Sequence, residues 1–97
     1  MTELVHEIWL DADGHHGCCL AGPAGEDFRR LLDAGARLIH AFSASSHFNA
    51  MQIYNAYLGR EPYTTDQSWD FEPYPESWKA AQDSKEAEWR ALHRRWL

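Results

Sequence analysis

The sequence predicts an α+β domain: a small sheet of about three strands, a β-hairpin plus one more strand, packed with two to three helices in the order ββαβα(α). Three observations predict it. Alternating apolar residues mark strands at Leu4 to Leu10 and Arg37 to Ala44, an Asp-Gly pair joins the first strand to a returning one, and two later stretches carry apolar residues at helical spacing.

Each element has its own local cause. LVHEIWL places Leu4, His6, Ile8 and Leu10 on one strand face. Asp13-Gly14 makes the turn because glycine takes the positive φ that a hairpin needs, and GCCLAG returns as the second strand, closed by Gly22-Pro23. GEDFRRLLDAG reads as a short helix: Glu26 and Asp27 suit its positive end, Phe28, Leu31 and Leu32 form the apolar stripe, and Gly35 fits a left-handed stop. RLIHAFSA is the third strand, with Leu38, His40 and Phe42 sharing a face. SSHFNAMQIYNAYLG is a second helix, capped by Ser45 or Ser46 and stopped at Gly59. Its apolar positions cover more than half its circumference, so it needs cover on two sides. Residues 60–74 read as irregular chain. Residues 75–97 read as a C-terminal helix or a bent helix pair: Pro75 suits a helix start, Trp78, Trp89, Leu92 and Trp96 recur at helical spacing, and Asp83 with Glu86 has the form of a capping box. The expected solution is an antiparallel or mixed sheet with its helices on one face.

Ninety-seven residues hold one domain, spanning 1–97, and no second core. Hydrophobic residues at 44% and charged residues at 25% are ordinary for a globular chain. No apolar run approaches the ~20 residues of a membrane span, and the acidic start MTELVHEIWLD lacks a signal peptide's basic region, so a cytoplasmic location without membrane contact is expected. Cys18 and Cys19 are adjacent and cannot form an ordinary disulfide staple with each other. The net charge of −6 speaks against nucleic acid as a partner. Charge is also blocky. Residues 1–28 and 61–78 carry acids without a Lys or Arg, whereas 29–60 and 79–97 are dominated by bases. Either the blocks pair within the fold or an acidic face meets a basic partner.

Two sets of residues are candidates for function. The first is the stretch EPYTTDQSWDFEPYPESW, in which Asp66, Trp69, Asp70, Phe71, Glu72 and Tyr74 suit a protein-binding surface, the rings as anchors and the carboxylates as attractors of basic residues. Here Tyr63 and Trp78 are expected to pack inward, with the tip from Asp66 to Glu72 left wet. The second is a set of imidazoles and thiols. His6, His16 and His40 fall one on each strand at apolar parity, joined by Cys18 and by His47 at the start of the second helix, and histidine with cysteine is the donor set zinc prefers. Cys18 and Cys19 point to opposite faces of a strand and cannot share one metal.

Three strings together, GCCLAGPAGEDFRRLL, SHFNAMQIYNAYLG and YTTDQSWDFEPYPESW, resemble a family of small, uncharacterised bacterial proteins similar in length to this chain. The resemblance covers roughly residues 4–78 and implies a compact single domain that stands alone. It brings no activity or catalytic residue with it. The functional expectation is therefore a small acidic, non-enzymatic protein-binding module of the immunity or accessory kind, monomeric or homodimeric. The alternative is a metal- or small-ligand-binding protein or enzyme built on the clustered histidines and cysteines.

Overall fold

One strand sits at the centre of the molecule and is covered on every side. β1 (Leu4–Leu10) pairs antiparallel with β2 (His16–Leu20) and with β3 (Arg37–Ala44), giving the order β2-β1-β3. This computed structural model describes residues 2–83. Three helices complete the α+β fold: α1 (Glu26–Arg30), α2 (His47–Tyr57) and α3, helical from 76 to 83. The Asp83–Glu86 capping box and the Trp89, Leu92 and Trp96 stripe lie outside the described residues.

β1 and β3 run over the residues that alternation predicts. Gly14 takes φ +87° in the hairpin connection, and the Asp11 carboxylate closes that loop by accepting the amides of Asp13 and His15, both at 2.9 Å. α2 starts at Ser46, whose hydroxyl accepts the Asn49 amide at 3.0 Å. It ends where Gly59 turns to φ +72°, with Gly59 N donating to Ala56 O and Arg60 N to Asn55 O, the two bonds of a Schellman stop.

The helices do not share one face. On β1, Leu4, His6 and Ile8 share one face, where His6 meets the α2 side and Leu4 meets Trp78, Ala81 and Gln82 of α3, and Glu7 and Trp9 point toward α1. α1 is shorter than its sequence suggests. A 3-10 turn over Pro23–Gly25 precedes it, it ends at Leu31, and Leu31 is 86% exposed rather than part of an apolar stripe. Phe28 does pack inward, the tip of its ring lying against Gly17 where a Cβ would collide with it. Gly35 is not a left-handed stop; among the described glycines positive φ falls to Gly14, Gly22 and Gly59.

A bulge explains a second departure. Ile8 pairs with His40 but Trp9 pairs with Leu38, so Ile39 is an extra residue in β3. Parity changes across it. His40 and Phe42 stay on the α2 side, whereas Leu38 joins Trp9, Ala36, Phe28 and Leu32 in the opposite core.

That opposite core contains a buried ion pair. The Arg29 Nη1 lies 3.2 Å from Glu7 Oε1, and both side chains are almost fully enclosed. The same guanidinium donates to the carbonyls of Leu20 and Gly22, while Glu7 Oε1 also accepts the Trp9 indole at 3.1 Å. Gly25 is obligatory here, because a Cβ would strike both the Leu20 carbonyl and the guanidinium. The first acidic block thus meets the first basic one within the fold. At the other end of β1, Gln82 of α3 holds the Val5 backbone from both sides, accepting from its N at 2.8 Å and donating to its O at 3.0 Å.

Breaking the ion pair leaves an uncompensated carboxylate in the core, so Arg29→Met is expected to lower unfolding free energy by about 3–5 kcal/mol. The double variant Glu7→Gln, Arg29→Met recovers much of that loss. Urea unfolding midpoints of the three proteins check both statements.

Candidate functional site

The face of the sheet opposite Glu7 carries the site. Strand alternation brings His6 from β1 and Cys18 and Leu20 from β2 to one surface, and Phe42 from β3 stacks on the His6 ring at 5.2 Å with the planes 8° apart. α2 flanks this surface with His47 and Met51. The chain from 61 to 78 then folds back along α2 and closes a cleft of about 560 Å³.

Ordinary local contacts hold that returning chain. Tyr63 N donates to Gln52 Oε1 at 2.9 Å, and the Tyr63 and Phe71 rings lean on Phe48 at 5.9 and 4.5 Å. The Tyr63 hydroxyl donates to Asp70 Oδ2 at 3.1 Å, at the base of a 3-10 turn over Ser68–Phe71. Pro73 bridges to Ser46, and Tyr74 N donates to Ser45 O at 2.9 Å. The N-cap of α2 and the floor of the cleft are therefore fixed by the same few residues.

The sequence candidates now have places. Trp69 and Phe71 are 64% and 52% exposed, Glu72 and Asp66 are also exposed, and Tyr74 is half-buried. Asp70 belongs to the wet tip by sequence but is buried, its carboxylate taken up by Tyr63. Trp78 departs from expectation the other way. Tyr63 packs inward, whereas Trp78 is 52% exposed at the cleft mouth, its ring against Tyr74 at 5.9 Å. Met51 and the carboxylate–guanidinium clamp carried no signal in sequence, because only α2's position and a contact across 22 residues give them a role.

The three strand histidines stand apart from one another, while His47 shares the cleft with His6. On the scale of β1, His6, the partner of His40 and the partner of His16 occupy positions 6, 8 and 10, which spreads the three over about 13 Å of strand. His40 stacks on Tyr57 at 4.5 Å, and His16 is exposed at the hairpin end. Cys18 and Leu20 share the cleft with His6, while the Cys19 sulfur faces Arg29 and Glu7. Among the described residues, Asp11, Asp13 and His15 are the group whose donor atoms approach a metal-holding geometry. They form an exposed turn in which Asp11 Oδ1 already accepts two amides.

His6 has a defined proton arrangement. Its Nδ1 lies 2.9 Å from Leu4 O, which can only accept, so Nδ1 carries the hydrogen. Burial disfavours the charged ring and lowers its pKa, the Leu4 carbonyl opposing and His47 adding to the shift. In the neutral ring Nε2 then accepts from the Tyr74 hydroxyl at 3.1 Å. Burial also pushes the Tyr74 hydroxyl and the Cys18 thiol up to about 12 each, and Cys19 up to about 11. Both thiols stay protonated at neutral pH, so neither is an activated nucleophile. The arrangement suits non-covalent binding: a firm apolar floor, aromatic walls and carboxylates at one side.

Comparisons with protein-family models, with curated proteins and with solved structures find no match to this chain.

The His6 shift sets a pH dependence. An unfolded histidine binds a proton near its ordinary pKa of 6.5, and the folded one only at lower pH. The stability from neutral His6 is therefore present above 6.5 and lost as pH falls below it, with a slope of at most about 1.4 kcal/mol per pH unit for one proton. Urea midpoints followed downward from neutral pH are expected to fall more steeply for the native chain than for His6→Gln.

Proposed function

We propose that this chain is a small acidic, non-enzymatic binding module of the immunity or accessory kind, which meets a basic protein partner through residues 61–78. One observation carries the reading: Trp69, Phe71 and Trp78 stand exposed along one short segment whose base is firmly packed. Exposed aromatic rings on a preorganised platform lose little conformational entropy on docking and supply the usual interface anchors.

Charge supports the same reading. Among the described residues, none of the five acids in 61–78 makes an ion pair, whereas Glu7, Glu26 and Asp27 of the first acidic block all engage Arg29 or Arg30. Lys79, next along the chain, is held by Asp83 at 2.9 Å. Acids with no ion-pair partner among the described residues attract bases on another molecule and speed encounter. A symmetric dimer through this segment would set acid against acid, which favours a different chain as the partner.

The test uses the indole N–H resonances of the protein titrated with basic peptides and with acidic peptides of equal length. The basic set is expected to shift the Trp69 and Trp78 signals saturably, more weakly at high salt, and Trp69→Ala with Phe71→Ala is expected to abolish the response. An equal response to the acidic set, or none to the basic one, overturns the proposal.

A further inference from the structure

We infer that the cleft between α2 and the 69–78 segment is a subsite for one arginine side chain of the partner. This rests on the reading of the chain as a basic-partner binder and specifies which group enters.

The lining of the cleft matches the two parts of that side chain. Part of it is apolar, from Leu20, Met51 and the protonated Cys18, and suits methylene groups. Its mouth is aromatic and acidic, from exposed Trp69, Trp78 and Glu72. Tyr74 and Trp78 lie ring against ring with 30° between planes, and both line the cleft together with Glu72. Aromatic faces attract cations, and a guanidinium does so while remaining planar and weakly hydrated.

The sign of the field selects a cation. Among the described residues Asp70 and Glu72 line the cleft and no Lys or Arg does. The deepest titratable group, His6, is kept neutral by burial and has its Nε2 occupied by the Tyr74 hydroxyl, so it presents no positive charge to an incoming head group. With its proton given to His6, the Tyr74 oxygen keeps lone pairs that can accept an N–H. Glu72 offers an exposed carboxylate, the partner group that a guanidinium can pair with through two parallel hydrogen bonds. A lysine would enter the same field but lose more hydration and stack less well.

The probes are N-acetyl-arginine methylamide, the lysine analogue and the neutral isostere N-acetyl-citrulline methylamide, all titrated at about pH 8. The arginine probe is expected to shift the Trp69 and Trp78 indole signals saturably, the lysine probe more weakly, and citrulline not at all. Glu72→Gln is expected to weaken the arginine probe about tenfold. Trp78→Phe retains a ring at the mouth and should bind it with intermediate strength. Citrulline binding as well as arginine, or Glu72→Gln leaving affinity unchanged, overturns the subsite. The two readings fail separately. Basic peptides that bind while the arginine probe leaves the cleft signals unmoved discard the subsite and keep the binding surface. An arginine probe that binds while basic peptides do not discards the protein-partner reading and keeps the subsite.

Discussion

A carboxylate in the middle of the middle strand constrains this fold more than any other group. Glu7 lies on β1, the strand flanked on both sides, and its side chain has no route to water. A buried charge of that kind is tolerated only with an opposite charge and further hydrogen bonds in place. Arg29 supplies the charge, and Trp9 supplies a hydrogen bond to the same oxygen. The requirement reaches outward from there. To bring Arg29 over β1 the chain must leave β2, turn at Gly22 and pass Gly25 close beneath the Leu20 carbonyl, so α1 is short and fixed in place. One face of the sheet is thereby committed to structure.

The other face is organised by different means and left open. Rather than a charge pair, it uses aromatic stacking on His6, backbone bonds at the cap of α2 and the packing of Tyr63 and Phe71 on Phe48. These contacts hold the inner edges of the 61–78 segment and leave the outer edges of its rings in water. Exposing that much apolar surface works against solubility and stability unless something covers it in use. The acids around it offset part of the solubility cost and set the sign of what can approach.

The two halves of this account were unequally legible in the sequence. The limits of β1 and β3, the Ser46 cap and the Gly59 stop follow from residues within a few positions of each other, and they stand where the chain's own pattern puts them, whereas β2 runs over His16–Leu20 rather than over GCCLAG. What pattern misses depends on distant partners. The bulge at Ile39 moves Leu38 to the far face, where it packs against Trp9 and Ala36, and nothing local announces it. Glu7 reads as a solvent-facing strand residue until Arg29, 22 positions on, comes to meet it. Gln82 reads as an ordinary helix-surface residue until it clasps Val5 across 77 positions. At the site, alternation correctly separates Cys18 from Cys19, but strand register alone decides that His6, His16 and His40 stand along the sheet instead of meeting. The exposed rings were legible as a group. Which of them turned inward was not, since Asp70 and Trp78 exchange the roles that hydropathy assigns them.

Register ties the two faces together. Side chains on β1 alternate, so a slip of one residue would carry Glu7 into the aromatic cleft and His6 beneath α1. In the cleft the carboxylate would face the Phe42 and Tyr74 rings with no guanidinium in reach, while Arg29 would point at an imidazole. Both errors are costly, and neither can be repaired by side-chain movement alone. The clamp at Glu7 and Arg29 therefore does more than stabilise its own face: by excluding the slipped pairing it guarantees that His6, Cys18 and Leu20 arrive together under Tyr74. An aromatic face made of small, weakly held contacts can stay open because the charge pair on the far side of the sheet has already decided where the strand lies.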